Sequence, residues 1–292
     1  MRPNPPLVRY GLLAAPIVFI AVFLIGPLAV MFAWSFWERV GFSVRPAFTL
    51  EHYAAFLDGA RLFVLERGLV VAISVTVISL LIAYPIAYFL AIRVKREVAR
   101  AVLLLFTVPF LVNYVIRNFA LAYLLSRSGP INRALIDIGL VDKAVDWLLF
   151  SDFAVFTGLI ASYMPFMIYP LWLSLAGIDR RLVEASWMLG APPIATFLKI
   201  TLPLSMPGVF AAAIFGFVGA FGESAVPIIL GGVGYQLMGN TITSALDVLD
   251  YPLAAAMSSV VVAMMLVLLA AWYMVFDIRS FLGKITRWKF RP

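Results

Sequence analysis

Five stretches of this chain run without a charged side chain for long enough to cross a lipid bilayer. Tyr10 to Trp37, Gly68 to Ile92, Phe153 to Ile178, Ile200 to Gly222 and Tyr251 to Phe276 each supply the roughly 20 residues a spanning helix requires. A sixth, Ala101 to Ser126, is interrupted only by Arg117. Backbone N–H and C=O groups in lipid have no water to bond, so such runs must be helical. The sequence therefore predicts an all-α integral membrane protein with six transmembrane helices. It reads as one membrane domain over residues 1–292, with spans near 11–36, 69–92, 101–125, 153–177, 204–230 and 253–276 and a loop at 179–203. Mean hydropathy is +1.02, and 64% of residues are hydrophobic against 13% charged. A soluble fold of this size would not hide that much apolar surface.

Lys and Arg set the expected orientation. The two tails and the loops after the second and fourth spans hold fourteen basic residues, whereas the alternate loops hold seven. By the positive-inside rule both termini and the 179–203 loop face the cytoplasm. Topology thus accounts for the formal charge of +7, and no basic stripe with interleaved aromatics suggests nucleic-acid binding. The first apolar stretch contains Pro16 and Pro27 and no clear small-residue cleavage site, so it is expected to stay as a helix. Cysteine is absent, which removes disulfides and thiol chemistry. One histidine, His52, makes no metal site. In the two longest loops, Phe48 to Leu57 and Ile131 to Leu140 fit short amphipathic helices, as a landing surface for an external partner or as caps on the bundle.

The loop between the fourth and fifth spans is the most informative segment. From Glu184 to Pro207 it reads EASWMLGAPPIATFLKITLPLSMP. Asp179 is placed to cap a helix running to Leu189, and Gly190 suits the left-handed residue that ends one. Pro192 and Pro193 open a second short helix, where a missing N–H costs little, and Pro203 is expected to close it.

Two charges fall inside apolar spans, where ionisable groups face a partner or a pathway. Arg117 lies 16 residues past Ala101 and Glu223 lies 17 past Met206, which is about 24 Å and about 26 Å along a helix. Gly219, Gly222, Pro227, Gly231 and Gly232 around Glu223 invite a broken helix, a form tolerated where it lines a cavity. A carboxylate there suits a cationic amine. Glu223 is the leading substrate-path candidate, with Arg117, Asn113, Tyr114 and Asn118 on the same path; the alternative is an Arg117–Glu223 ion pair that only fixes helix register.

Glu184-Ala185, Gly190 six residues after Glu184, then Ile200, Leu202 and Pro203 resemble the EAA loop of permease subunits of ATP-binding-cassette importers. Ser186 stands where that loop usually has a second alanine. VPFLVNYVIRNFAL around Arg117, SGPINRALIDIGLVD from Ser128, YMPFMIYPLWLSLAGIDRRLVEAS from Tyr163 and FGESAVPIILGG from Phe221 are similar to the spermidine/putrescine-type branch. Ser224 and the pair Arg67 and Gly68 depart from that branch, which commonly has an aromatic and an Asn-Thr pair there.

The resemblance implies a type I importer permease in a bacterial inner membrane, forming half of a pore for polyamines or a related amino-bearing solute. It implies a dimer of ATPase subunits that binds ATP and Mg, a second permease chain, which is a relative or a second copy, and an extracytoplasmic solute-binding protein. The loop would dock on the ATPase through Glu184, Ala185, Gly190, Ala191, Ile194, Phe197, Leu198 and Pro203, with Glu184 anchoring it, Gly190 giving the turn and Ile194, Phe197 and Leu198 offering an apolar face. This chain has no Walker loop, GxSxG or HExxH, so no catalytic, metal or cofactor site of its own is expected. The alternatives are an importer of another small solute (an opine, an amino-acid derivative, an oxyanion or iron), or an ATP-independent channel or secondary transporter using Glu223. The long hinge and the absence of inverted repeats speak against the last two.

Overall fold

The computed structural model describes residues 14, 16–41, 43–57 and 59–275; the basic residues of both tails lie outside the described residues. In chain order the elements are α1 (Pro16–Trp34), a hairpin of β1 (Glu38–Val40) and β2 (Ser43–Arg45), α2 (Glu51–Phe56), α3 (Gly59–Ile92), α4 (Arg96–Leu111), α5 (Tyr114–Leu125), α6 (Pro130–Asp137) and α7 (Asp152–Ala176). There follow α8 (Arg180–Met188), α9 (Pro193–Thr196), α10 (Leu202–Phe221), α11 (Met238–Asp247) and α12 (Tyr251–Val275). Among the described residues five helical stretches are long and apolar enough to cross a membrane, or six when the bent pair Arg96–Phe110 and Tyr114–Asp137, which takes in α5 and α6, counts as one. The hairpin is a small β addition to an otherwise helical chain, and α2 and α6 fall where short helices were expected.

The third apolar stretch is not one straight span. Arg96–Phe110 and the helical segment beginning at Tyr114 meet at 89°. Asn113 explains the break: its side chain accepts the Val115 N–H at 2.9 Å and caps α5, while Pro109 inside α4 lacks the N–H that would continue the ladder.

Among the described residues two compact units emerge, one running through residue 62 together with 242–271, the other of 63–241 and 272–275. In the first, Arg39 pairs with Asp250 at 3.1 Å and donates to the Val248 carbonyl at 2.9 Å. Ser35 and Tyr53 share a 2.7 Å hydrogen bond, and His52 meets the Trp37 carbonyl at 3.0 Å. In the second, α7 packs along α10. Lipid offers little hydrophobic drive between helices, so close packing of small residues must hold them. Gly208, Ala212, Gly216 and Ala220 recur every fourth residue of α10 and are buried. A Cβ on Gly208 would stand 2.6 Å from the Pro170 carbonyl oxygen, and one on Gly216 2.8 Å from the Met167 sulfur. Ala83, Ala87 and Leu90 of α3 and Leu103 of α4 complete this core against Ile168, Leu171 and Leu175.

Candidate functional site

The hinge is built from local rules. The Asp179 carboxylate accepts the Arg181 N–H at 3.0 Å and starts α8. Gly190 has φ +78°; its N–H reaches the Trp187 carbonyl at 2.9 Å, and that of Ala191 reaches Ser186 at 3.1 Å. This bond pair around a left-handed residue closes the helix. Pro192 then stands in extended backbone and Pro193 opens α9. Across the turn, the buried hydroxyls of Ser186 and Thr196 lie 2.7 Å apart. Arg180 donates to the Ile92 carbonyl at 3.5 Å, at the end of α3.

Pro203 does not close the second helix, contrary to the expectation. The helix runs unbroken from Pro193 to Phe221, because Phe197–Thr201 widens into a π turn and Pro203 falls in the first turn of α10 beyond it. A π turn shifts the hydrogen-bond partners around the proline and so accommodates its missing N–H. The hinge helix and the following span are therefore one continuous rod of helix, with the π turn and Pro207 inside it.

The exposed apolar surface of the hinge also differs in detail. Ile194 is 73% exposed and Leu198 53%, joined by Met188 at 89% and Leu189 at 88%. Phe197 is turned inward, with its ring edge-on to Tyr84 and Tyr88 at 5.8 Å each. Glu184 and Ala185 are exposed and Ala191 half-buried. The Glu184 carboxylate makes no ion pair or hydrogen bond among the described residues.

At the far end of that rod the helix breaks as its glycines suggest. Phe221 ends α10, Glu223 and Ser224 are non-helical, and helix resumes at Ala225 as a π turn over Pro227–Gly231. Glu223 is buried. Its Oε1 accepts the N–H of Ala225 at 2.8 Å and of Val226 at 3.3 Å, and its Oε2 accepts the Tyr163 hydroxyl at 2.6 Å. The carboxylate thus caps the resumed helix, where a negative charge meets the positive end of the dipole. A Cβ on Gly219 would run into the Tyr163 ring, so only glycine lets that ring lie against α10.

Arg117 and Glu223 form no ion pair. The guanidinium lies over Phe110, 4.7 Å from its centroid, and 5.4 Å from that of Tyr114, a placement that lets ring faces hold the charge. A cavity of about 380 Å³ is walled by Phe110, Asn113, Tyr114 and Arg117 on one side and Ser162, Tyr163 and Phe166 of α7 on the other. The hydroxyls of Tyr114 and Ser162 and the amide nitrogen of Asn118 are buried with no hydrogen-bond partner among the described residues, the Tyr114 hydroxyl facing both Glu223 and Asn118. Native proteins leave few such groups unpaired, and they mark places where a ligand or water belongs. Of the five candidate path residues, three (Asn113, Tyr114 and Arg117) share the cavity. Asn118 is buried beside them in sequence, and Glu223 reaches it through Tyr163. The sequence reading missed Ser162 and Tyr163; their signal was an adjacent hydroxyl pair in mid-span.

A third cluster lies at the start of α7. Arg67 pairs with Asp152 at 3.2 Å and covers the Tyr235 ring at 4.1 Å, while the Tyr235 hydroxyl donates to the same carboxylate at 2.6 Å. Burial, and then that hydrogen bond, push the Tyr235 phenol above its ordinary value. The departure at Arg67 therefore has its own partners.

Comparison with known proteins follows the same lines. Residues 79–278 match the family described as "Binding-protein-dependent transport system inner membrane component". The spermidine/putrescine transport system permease protein PotB of Escherichia coli (strain K12) is 35% identical over 257 residues, covering 87% of this chain and 93% of that protein. The inner membrane ABC transporter permease protein YdcU of the same strain is 28% identical, over 91% of this chain and 89% of its own. Among solved structures, a bacterial alginate ABC transporter in complex with an alginate pentasaccharide-bound periplasmic protein shares the fold. Its TM-score is 0.69 at 20% identity, over 91% of this chain and 93% of the other.

Proposed function

The chain belongs to the family of binding-protein-dependent transport system inner membrane components, and from that premise we propose that it forms half of the pore of an ATP-driven importer of polyamines or a related amino-bearing solute. A second permease chain completes the pore, two ATPase subunits hold ATP and Mg, and an external binding protein delivers the solute. Both termini and the hinge face the cytoplasm, as the Lys and Arg distribution favours. The similarity to PotB supports the polyamine class.

One observation carries the mechanism: the hinge and the Glu223 break are the two ends of the same continuous helix, Pro193–Phe221. The exposed Ile194, Leu198, Met188 and Leu189 supply the apolar face of a helix-in-groove contact with the ATPase. Closure of the ATPase dimer on ATP would displace α9, and the rod would transmit that displacement to Glu223. The chain has no cysteine, so Ile194→Cys gives a clean reporter. Labelling of that thiol by a maleimide should be blocked when the ATPase binds; unaltered labelling in the assembled complex would contradict the docking.

A second reading has its own observation. Arg117 lines the cavity without a carboxylate partner among the described residues, which favours a solute with an acid group as well as an amine. Uptake assays comparing putrescine with an ω-amino acid of equal length separate the two.

A further inference from the structure

We propose that Tyr163 is the residue that receives the solute's amine, with Glu223 acting through it as a positioning and polarising group. The inference rests on the amine-importer reading above. Tyr163 walls the cavity between α5 and α7, whereas Glu223 does not. The Glu223 carboxylate is engaged on both oxygens, Oε1 by the N–H groups of Ala225 and Val226 and Oε2 by the Tyr163 hydroxyl. A phenol that gives its only proton to a carboxylate has nothing left but lone pairs, so it presents an acceptor. Polarisation by the anion behind it strengthens that acceptor.

What the cavity meets at Tyr163 is therefore an acceptor backed by a buried negative charge. The matching chemistry is a protonated primary or secondary amine, which only donates. An ammonium brings two or three N–H groups, and one hydroxyl does not satisfy them. The hydroxyls of Tyr114 and Ser162, on the walls of the same cavity and unpaired among the described residues, supply the remainder, and that of Tyr114 faces Glu223 as well. Arg117 lies over the Phe110 and Tyr114 rings, where their faces partly offset its positive charge. Gly219 holds the arrangement, because any side chain there would displace the Tyr163 ring from Glu223.

The test uses the assembled importer in liposomes, with its partner permease, ATPase and putrescine-loaded binding protein. For Tyr163→Phe, putrescine delivered per ATP hydrolysed should fall roughly ten-fold, the loss expected for one hydrogen bond to a charged group. Unchanged delivery per ATP overturns the proposal. So does a parallel loss of delivery and hydrolysis, the mark of a purely structural residue. If Tyr163→Phe does not assemble, Glu223→Gln carries the test, because its amide oxygen still accepts from Ala225 and Val226 while the charge is gone. The same drop supports the relay, and wild-type delivery overturns it. A wild-type complex that imports another solute but no amine overturns the substrate reading itself, before any substitution is made, so the two failures are distinguishable.

Discussion

The hydroxyl of Ser186, where the family loop usually carries alanine, lies 2.7 Å from that of Thr196 across the hinge turn, and both residues are buried. The bond ties α8 to α9, ten residues apart, and braces the turn between them.

Ser186→Ala leaves the Thr196 hydroxyl buried without its partner, at a cost of about 1–3 kcal/mol. Binding-protein-stimulated ATP hydrolysis and thermal stability of the purified complex should both fall. Adding Thr196→Val should restore much of the loss, since removing both polar partners is far cheaper than removing one. A double variant as impaired as the sum of the singles would contradict the lock.

Gly190 has open space around it, and a Cβ there meets no atom within 4 Å, so its need is conformational alone. At φ +78°, Gly190→Val costs on the order of 1–2 kcal/mol of backbone strain or reshapes the turn. The variant should insert normally yet lose transport and stimulated hydrolysis together. Hydrolysis at the wild-type level in proteoliposomes would count against a coupling role.

Gly219→Ala places a methyl group in the Tyr163 ring. The ring must move, and the variant should then reproduce the Tyr163→Phe loss of delivered solute without disturbing the hinge. Wild-type transport by Gly219→Ala would mean that the ring is free to shift.

Tyr235 supplies a pH prediction. Its phenol is raised by burial and by donation to Asp152, so the folded state holds that proton more tightly than the unfolded chain. This contribution to stability is therefore complete below the ordinary tyrosine value near 10 and is lost progressively as pH rises from there through the higher folded value. An ultraviolet titration of wild type minus Tyr235→Phe should show one phenol ionising above the ordinary range. Ionisation near 10 would mean that the cluster is open to water.

How much of this was legible in the sequence depended on where each cause lies. Asp179, Gly190 and Pro193 act within a few residues of themselves, and the hinge follows local capping rules. The glycines around Glu223 likewise announced a break. Pro203 misled because its effect depends on the π turn before it, which no local rule required. The bend at Asn113 turned on a cap within what reads as a continuous apolar run. The partner of Glu223 is Tyr163, sixty residues away, and no spacing rule connects them. Arg117, the charge that seemed its natural partner, is held by aromatic faces instead.

The most direct measurement is uptake of labelled putrescine and spermidine by proteoliposomes containing this chain, its partner permease, the ATPase and the binding protein, with and without ATP. Uptake should require ATP, the binding protein and an intact hinge, and should exceed uptake of neutral sugars and oxyanions. Amine uptake by this chain alone without ATP, or ATP-driven uptake confined to an anionic or neutral solute, would contradict the amine-importer reading.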